Sequence, residues 1–171
     1  MTYKRFEDLP VWQEAMRLAH GVFDLTENPQ CKISFSLRDQ IERSVMSVSD
    51  NVAEGFERGT TNELLAFLYI ARGSAGETRS ELLFMENRPS LSNFRSQISD
   101  LKLRAESCSR QLRSWAEALQ DSPIAGTRHL NRRTKREWME QERAAACKKE
   151  LLRRLPVGHP LRQDAEERGI I

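Results

Sequence analysis

The feature that most constrains the fold is a spacing of apolar residues by alternating steps of three and four, which recurs in four segments of the chain. Its most regular instance comprises Phe94, Ile98, Leu101, Ala105, Cys108, Leu112, Trp115 and Leu119. Because an α-helix has about 3.6 residues per turn, such positions lie on one face, which a globular protein buries. No segment shows the alternation with period two that is typical of a strand.

The three earlier segments carry the same pattern and end at residues that stop helices. The first contains Leu9, Trp12, Met16, Ala19 and Phe23 and ends before Asn28-Pro29. The second contains Leu37, Ile41, Val45, Val48, Val52 and Phe56 and ends near Gly59. The third opens with a capping box between Thr60 and Glu63 and continues through Leu64, Leu68, Ala71, Ala75, Thr78, Leu82 and Met85. Four amphipathic helices with short linkers predict an all-α fold, an up-down-up-down four-helix bundle.

The chain changes character after this bundle. We expect residues 1–122 to form the bundle and residues 123–171 to form a linker and a basic helical tail, partly disordered, with a helix from about 131 to 155. Residues 1–122 carry 15 basic and 18 acidic side chains, whereas residues 123–171 carry 12 and 7. An acidic body with a basic tail places any contact with nucleic acid chiefly in the tail.

The stretch ARGSAGETRSE, residues 71–81, has the glycines and serine of a phosphate-binding loop but lacks its lysine. The apolar spacing from Ala71 through Ala75 and Thr78 continues across it without losing phase. The glycines therefore lie inside a helix, where each costs about 1 kcal/mol relative to alanine. Close packing of another backbone against Gly73 and Gly76 is the favoured explanation, and a ligand loop is the alternative.

Three segments resemble a known family. FEDLPVWQEAMRLA (6–19), LRDQIERSVMSVSDNVAEGFERG (37–59) and FLYIARGSAGETRSEL (67–82) are similar to bacterial four-helix-bundle proteins encoded in intervening sequences of large-subunit ribosomal RNA genes. The same family includes the accessory variability determinant of diversity-generating retroelements. The positions that carry the resemblance are Trp12, Gln13, Gln40, Arg43, Asn51, Glu54, Gly55, Arg58, Gly73, Ser74 and Glu77.

The resemblance implies a homopentameric ring of four-helix bundles with no known enzymatic activity, in which these positions serve structure or subunit contact. For the retroelement member it implies binding to nucleic acid and to a reverse transcriptase. Two features depart from the family: the bundle here is net acidic, and the tail after Asp121 extends beyond the family's usual length.

The residue types argue against several classes of function. No Glu-x-x-His pair suggests a di-iron site. A serine or cysteine nucleophile needs a positioned base, but His20 is alone on the first helix and His129 and His159 lie in the tail, so we expect no enzyme, no metal and no cofactor. Three cysteines without a CxxC pair are typical of free thiols in the cytoplasm. No apolar run approaches the roughly 20 residues of a membrane span, and the amino terminus lacks the pattern of an export signal.

Two further features predict partners. Apolar residues outside the four stripes favour self-association: Phe35, Met46, Leu65, Ile70, Leu83 and Leu103. A basic cluster favours RNA or DNA: Arg128, Arg132, Arg133, Lys135 and Arg136. We therefore expect a non-catalytic oligomer that binds nucleic acid, with a reverse transcriptase as the protein partner that the resemblance implies. A protein-interaction scaffold that does not bind nucleic acid is the alternative, with the basic cluster then a solvated linker helix.

Overall fold

A computed structural model of the chain describes residues 3–120 and 132–170, with the backbone alone for 132–139, 141 and 142. The chain divides into two compact units, Met1–Arg128 and His129–Ile171. Their helices are α1 (Pro10–Thr26), α2 (Phe35–Glu57), α3 (Thr61–Glu86) and α4 (Arg95–Gln120), then α5 (Arg132–Arg154) and α6 (Pro160–Glu167). All regular elements of the described residues are helices, which confirms the predicted all-α class. The boundary predicted at 122/123 lies outside the described residues.

Within the first unit each long helix packs against two others, in the cyclic order α1, α2, α3, α4. Contacts between α3 and α4 show their relative direction. Lys102 donates to Glu86 at the end of α3, whereas Gln120 donates to the Tyr69 hydroxyl near its start. The two helices therefore run antiparallel, as short linkers require.

The apolar stripes predicted for the second, third and fourth helices form the core. Every stripe residue of α3 is buried, from Leu64 to Met85. In α2 and α4 the central residues are buried, whereas Leu37, Phe56, Phe94, Trp115 and Leu119 are half-buried against the same core. The helical period therefore located the core correctly over these three segments.

The stripe predicted for the first helix is only partly correct: Leu9 and Ala19 are buried as predicted, whereas the other three members lie one residue away from buried positions. The buried face of α1 comprises Val11, Ala15, Leu18, Ala19, Val22, Leu25 and Thr26. Trp12, Met16 and Phe23, which the sequence pattern places at the centre, are only half-buried at its edge. Large side chains can cover the margin of a core while smaller side chains fit its centre. In α1 the marginal residues and the central residues therefore both recur with a helical period.

The ends of α3 follow the predicted chemistry. Thr60 Oγ1 accepts a hydrogen bond from the Glu63 amide at 3.2 Å and donates one to the Glu63 carboxylate at 2.7 Å. The Thr60 hydroxyl thus satisfies the Glu63 amide, which has no partner within the helix, whereas the Glu63 carboxylate accepts from the Thr60 hydroxyl instead of the predicted Thr60 amide. Gly73 and Gly76 lie in the helix interior, so the stretch ARGSAGETRSE is not a phosphate-binding loop.

In the second unit, α5 spans almost the predicted residues, and the segment after Leu155, expected to be loosely ordered, forms α6. The Arg162 guanidinium donates to the carbonyls of Arg153 and Leu155, at 3.3 and 2.9 Å, where α5 ends. His159 caps α6 by accepting from the Leu161 amide at 3.3 Å. These contacts order a proline- and glycine-containing segment whose composition alone suggests a coil.

Across both described parts of the chain, every helix is too short or too polar to cross a bilayer.

Candidate contact surfaces

Helices α2 and α3 meet along a row of polar residues, here called the α2–α3 seam: Ser44, Ser47 and Asn51 of α2, and Ser74, Thr78 and Glu81 of α3. The hydroxyls of Ser47 and Ser74 lie 2.9 Å apart, as do those of Ser44 and Thr78. Asn51 Nδ2 donates to the carbonyl of Ser47 at 2.7 Å and to its hydroxyl at 2.9 Å. The family positions Asn51 and Ser74 are thus linked through Ser47.

Three seam residues were not singled out in the sequence: Ser44, Ser47 and Glu81. Thr78 was named there only as a member of the buried stripe of the third helix. A signal for them exists, because residues 44, 47 and 51 and residues 74, 78 and 81 also step by three and four. Each set forms a polar stripe beside an apolar one. Two such stripes on consecutive helices indicate a polar contact between those helices.

One end of the seam brings the backbones of α2 and α3 very close. A Cβ atom built on Gly55 would lie 2.7 Å from Phe67 Cβ, 3.2 Å from Leu64 Cδ1 and 3.4 Å from the Leu64 carbonyl oxygen. Any larger residue at position 55 would therefore force α2 and α3 apart locally. The close packing expected at Gly73 is found here instead, since a Cβ at Gly73 or Gly76 meets nothing within 4 Å in the described residues.

Two charged family positions lie next to Gly55. Arg58 pairs with Glu54 one turn earlier, and its guanidinium stands 5.1 Å from the centre of the Phe67 ring. A second carboxylate, that of Glu63, lies 3.9 Å from Arg58. Arg58 thus links the end of α2 to the start of α3.

The other positions that carry the family resemblance lie on more exposed surfaces. Arg43 pairs with Asp39 on its own helix at 3.1 Å. Glu77 is exposed on α3. Trp12 packs edge-on against Phe6, with ring centres 5.3 Å apart, and so fixes the segment before α1.

The side of α3 that faces away from the core carries apolar and small residues beside polar ones such as Glu77 and Ser80, and we call its apolar and small set the outer face of α3. It comprises Tyr69, Ile70, Gly73, Gly76, Leu83 and Phe84, all exposed. Ile70 is 51% exposed and Phe84 is 55% exposed. A helix with apolar residues on two opposite faces, in a unit that buries only one of them, indicates a second contact.

The apolar residues expected to point outward divide into two groups. Phe35, Ile70, Leu83 and Leu103 are exposed. Met46 and Leu65 are half-buried against the core, so for these two the expectation was wrong. Side chains at the edge of a helical stripe can turn inward, as these do.

The basic cluster falls at the start of α5. Arg132, Arg133, Lys135 and Arg136 lie in its first two turns, whereas Arg128 lies outside the described residues. Positions 132, 135 and 136 fall on one side of the helix, because steps of three and four return to the same face. The whole of α5 carries nine basic and four acidic residues, a net charge of +5, and residues 143 to 151 are exposed.

The buried thiols are poor candidates for nucleophiles. Burial raises the pKa of the Cys108 thiol to about 12 and also raises that of Cys31, so both remain protonated at neutral pH. His20 is exposed on α1. Among the described residues, His, Cys, Asp and Glu side chains form no group of three that would hold a metal ion.

Comparison with known proteins identifies the family. Residues 7–114, more than half of the chain, match the family described as 23S rRNA-intervening sequence protein. A search of curated proteins returns no significant match. The matched range contains the α2–α3 seam and the outer face of α3, and ends before the basic cluster of α5. The chain therefore belongs to the 23S rRNA-intervening sequence protein family.

Proposed function

We propose that this protein is a non-catalytic, homo-oligomeric accessory protein that binds RNA or DNA through the basic start of α5. In this proposal helices α1 to α4 form an up-down-up-down bundle, and copies associate through the outer face of α3 into a ring, which the family resemblance makes homopentameric. We further propose a cytoplasmic location, where Cys31, Cys108 and Cys147 are free thiols.

The observation that carries the nucleic-acid part is the charge of α5. Its net charge of +5 contrasts with the net −3 of residues 1–122, and it extends along a helix exposed over residues 143 to 151. Each Lys or Arg that neutralises a phosphate releases a condensed counterion, so binding of this kind is independent of sequence and sensitive to salt. Several copies of such a helix in one assembly would bind more tightly than one.

Gel shifts with the full chain test this part. Replacing Arg132, Lys135 and Arg136 by Gln removes three positive charges from one side of α5. We expect weaker binding to RNA and duplex DNA at every salt concentration. The slope of the logarithm of the binding constant against the logarithm of the salt concentration should be smaller in magnitude by roughly 2 to 3.

The matched control removes three positive charges from α4, as Arg95→Gln, Arg110→Gln and Arg113→Gln. These arginines are exposed, and binding should change little. If the α4 variant lost as much affinity as the α5 variant, net charge rather than the α5 cluster would explain binding. If the unmodified chain bound nothing at low salt, the nucleic-acid proposal would be wrong.

The outer face of α3 supports self-association. Gly73 and Gly76 each cost about 1 kcal/mol in a helix, and no packing in the described residues offsets this cost. Small residues flanked by Tyr69 and Ile70 at one end and by Phe84 at the other allow close approach of another helix. A surface of this kind fits an interface between copies, as in a closed ring with one repeated contact.

Light scattering tests the interface with matched variants. Ile70→Ser removes an apolar side chain from the outer face of α3, and Leu103→Ser removes a similarly exposed one from α4. Gly73→Leu introduces a large side chain where the described chain leaves open space. We expect Ile70→Ser and Gly73→Leu to lower the mass toward 19.8 kDa, and Leu103→Ser to leave it unchanged. An unchanged mass in the first two variants would exclude this face.

The exposed apolar surface also favours a second candidate, a protein-interaction scaffold with a partner such as a reverse transcriptase. Apolar faces bind proteins rather than phosphates. A pull-down would separate the candidates. In the scaffold, residues 123–171 act as the adaptor, so a deletion of these residues that removes a protein partner but not nucleic acid would favour the scaffold over the first candidate.

A further inference from the structure

Glu81 is an acid buried where an ionised carboxylate is poorly accommodated. Only 8% of the residue is exposed, in the contact between α2 and α3. Its Oε2 accepts a hydrogen bond from the Ser44 hydroxyl at 2.8 Å, whereas its Oε1 is fully buried without a partner in the described residues. A buried charge ordinarily needs several partners, so this geometry disfavours the ionised form.

The protons of the surrounding hydroxyls match a neutral Glu81. A protonated Oε2 can donate to Ser44 Oγ, which then donates to the Ile41 carbonyl at 3.1 Å. Thr78 Oγ1 donates to the Ser74 carbonyl at 3.0 Å. The protons of Glu81 Oε2, Ser44 Oγ and Thr78 Oγ1 then each have an acceptor. Glu81 Oε1, which has no donor in the described residues, is in this state a neutral carbonyl oxygen. In the ionised state Oε2 keeps the donor Ser44, and the buried Oε1 carries half of the charge without a hydrogen bond in the described residues.

The charged groups around Glu81 do not reverse this preference. Burial is the main cause that raises the pKa of Glu81, and the charge of Glu77 on the same helix adds to it. Ser44, Gln40 and Arg43 of α2 lower it, by smaller amounts. On the side of α4, Lys102 is paired with Glu86 at 2.5 Å and does not contribute.

We propose that Glu81 is a proton-sensitive lock of the α2–α3 seam: neutral, it completes the hydrogen-bonded chain through Ser44, and ionised, it loosens the contact between the two helices. The proposal does not depend on self-association or on nucleic acid, because the lock lies within one chain.

The direction of the pH effect follows from linkage. An unfolded glutamate has a pKa of about 4.3. Because the folded pKa is higher, the folded state holds the proton where the unfolded state has lost it, so Glu81 contributes its full stability below the unfolded value. That contribution is lost as the pH rises from about 4.3 through the folded pKa, and above it the ionised group weakens the seam.

Denaturant unfolding of the wild type and of Glu81→Gln over this pH range tests the lock. The glutamine keeps the size of the side chain and cannot ionise. We expect the denaturant midpoint of Glu81→Gln, minus that of the wild type at the same pH, to rise with pH. The difference should level off above the pKa of Glu81 in the folded protein. Glu57→Gln, a matched loss of one charge at an exposed position of α2, should show no comparable rise. A difference between wild type and Glu81→Gln that is independent of pH would overturn the proposal.

A spectroscopic titration of the folded protein provides a second, direct measurement. With carboxyl-labelled glutamate, one resonance should titrate above the others and be missing in Glu81→Gln. In Ser44→Ala the same resonance should titrate higher still, because the donor that favours the ionised form is gone. If Glu81 titrated together with the exposed glutamates, the lock would be refuted, whatever the stability of the variants.

Discussion

Replacing Gly55 by alanine tests the close approach of α2 and α3 most sharply. The new Cβ would lie 2.7 Å from Phe67 Cβ, whereas carbon atoms in contact are ordinarily about 3.5–4.0 Å apart. Phe67 Cβ is attached directly to the backbone and cannot rotate away, so the helices must separate locally by about 1 Å. The seam hydrogen bonds and the packing around Leu64 would be strained together.

Two opposing terms set the magnitude. Overpacking a well-filled contact costs typically about 1–3 kcal/mol. Alanine in a helix gains about 1 kcal/mol over glycine, which offsets part of that cost. We therefore expect Gly55→Ala to lose about 1 kcal/mol of unfolding free energy, within a range of about 0 to 2. Urea unfolding followed by circular dichroism measures it.

Gly73→Ala is the matched control within one chain, because the same substitution there meets nothing within 4 Å. Since Gly73 lies in the proposed contact between copies, this comparison is made at protein concentrations low enough to dissociate an assembly. Gly73→Ala should gain about 1 kcal/mol, so the two variants should differ by about 2 kcal/mol. Both are measured at two protein concentrations, since assembly makes apparent stability depend on concentration. A Gly55→Ala protein as stable as Gly73→Ala would refute the reasoning from close approach.

Three further predictions concern single contacts. Thr60→Ala should cost about 1 kcal/mol in urea unfolding, because the capping box with Glu63 is lost; an unchanged midpoint would contradict the cap. Iodoacetamide should modify the exposed Cys147 in the folded protein and Cys108 only after unfolding, as mass spectrometry of peptides would show; rapid labelling of Cys108 in the folded state would contradict its burial and raised pKa. Arg162→Ala should speed hydrogen exchange at the end of α5 and in α6 but not in α1 to α4, because the arginine donates to the carbonyls of Arg153 and Leu155 where α5 ends and to Glu166 of α6; exchange rates equal to those of the wild type throughout would contradict that role.

The sequence predicted the core wherever large aliphatic residues occupied the centre of a helical stripe. That holds for α2, α3 and α4. In α1 it favoured Trp12 and Phe23 over Val22 and Leu25, because hydrophobic size does not distinguish the centre of a buried face from its margin. The choice of face depends on which neighbouring helices cover it, and that information is tertiary.

The candidate contacts were predictable only in part. Asn51, Ser74 and Gly55 were singled out from family resemblance, and all three lie at the contact of α2 with α3. Glu81 was missed because its partner Ser44 lies on another helix, 37 positions earlier. The sequence does not distinguish Gly55 from Gly73, since both are glycines inside a predicted helix. The structure distinguishes them, because a Cβ at position 55 would collide with Phe67 whereas a Cβ at position 73 meets nothing within 4 Å.

Light scattering of the full chain, alone and mixed with RNA or duplex DNA at low salt, tests the central claim most directly. The proposal predicts a single species at a multiple of 19.8 kDa that gains the mass of bound nucleic acid and releases it as salt is raised. A species of 19.8 kDa whose mass is the same with and without nucleic acid would contradict both self-association and nucleic-acid binding.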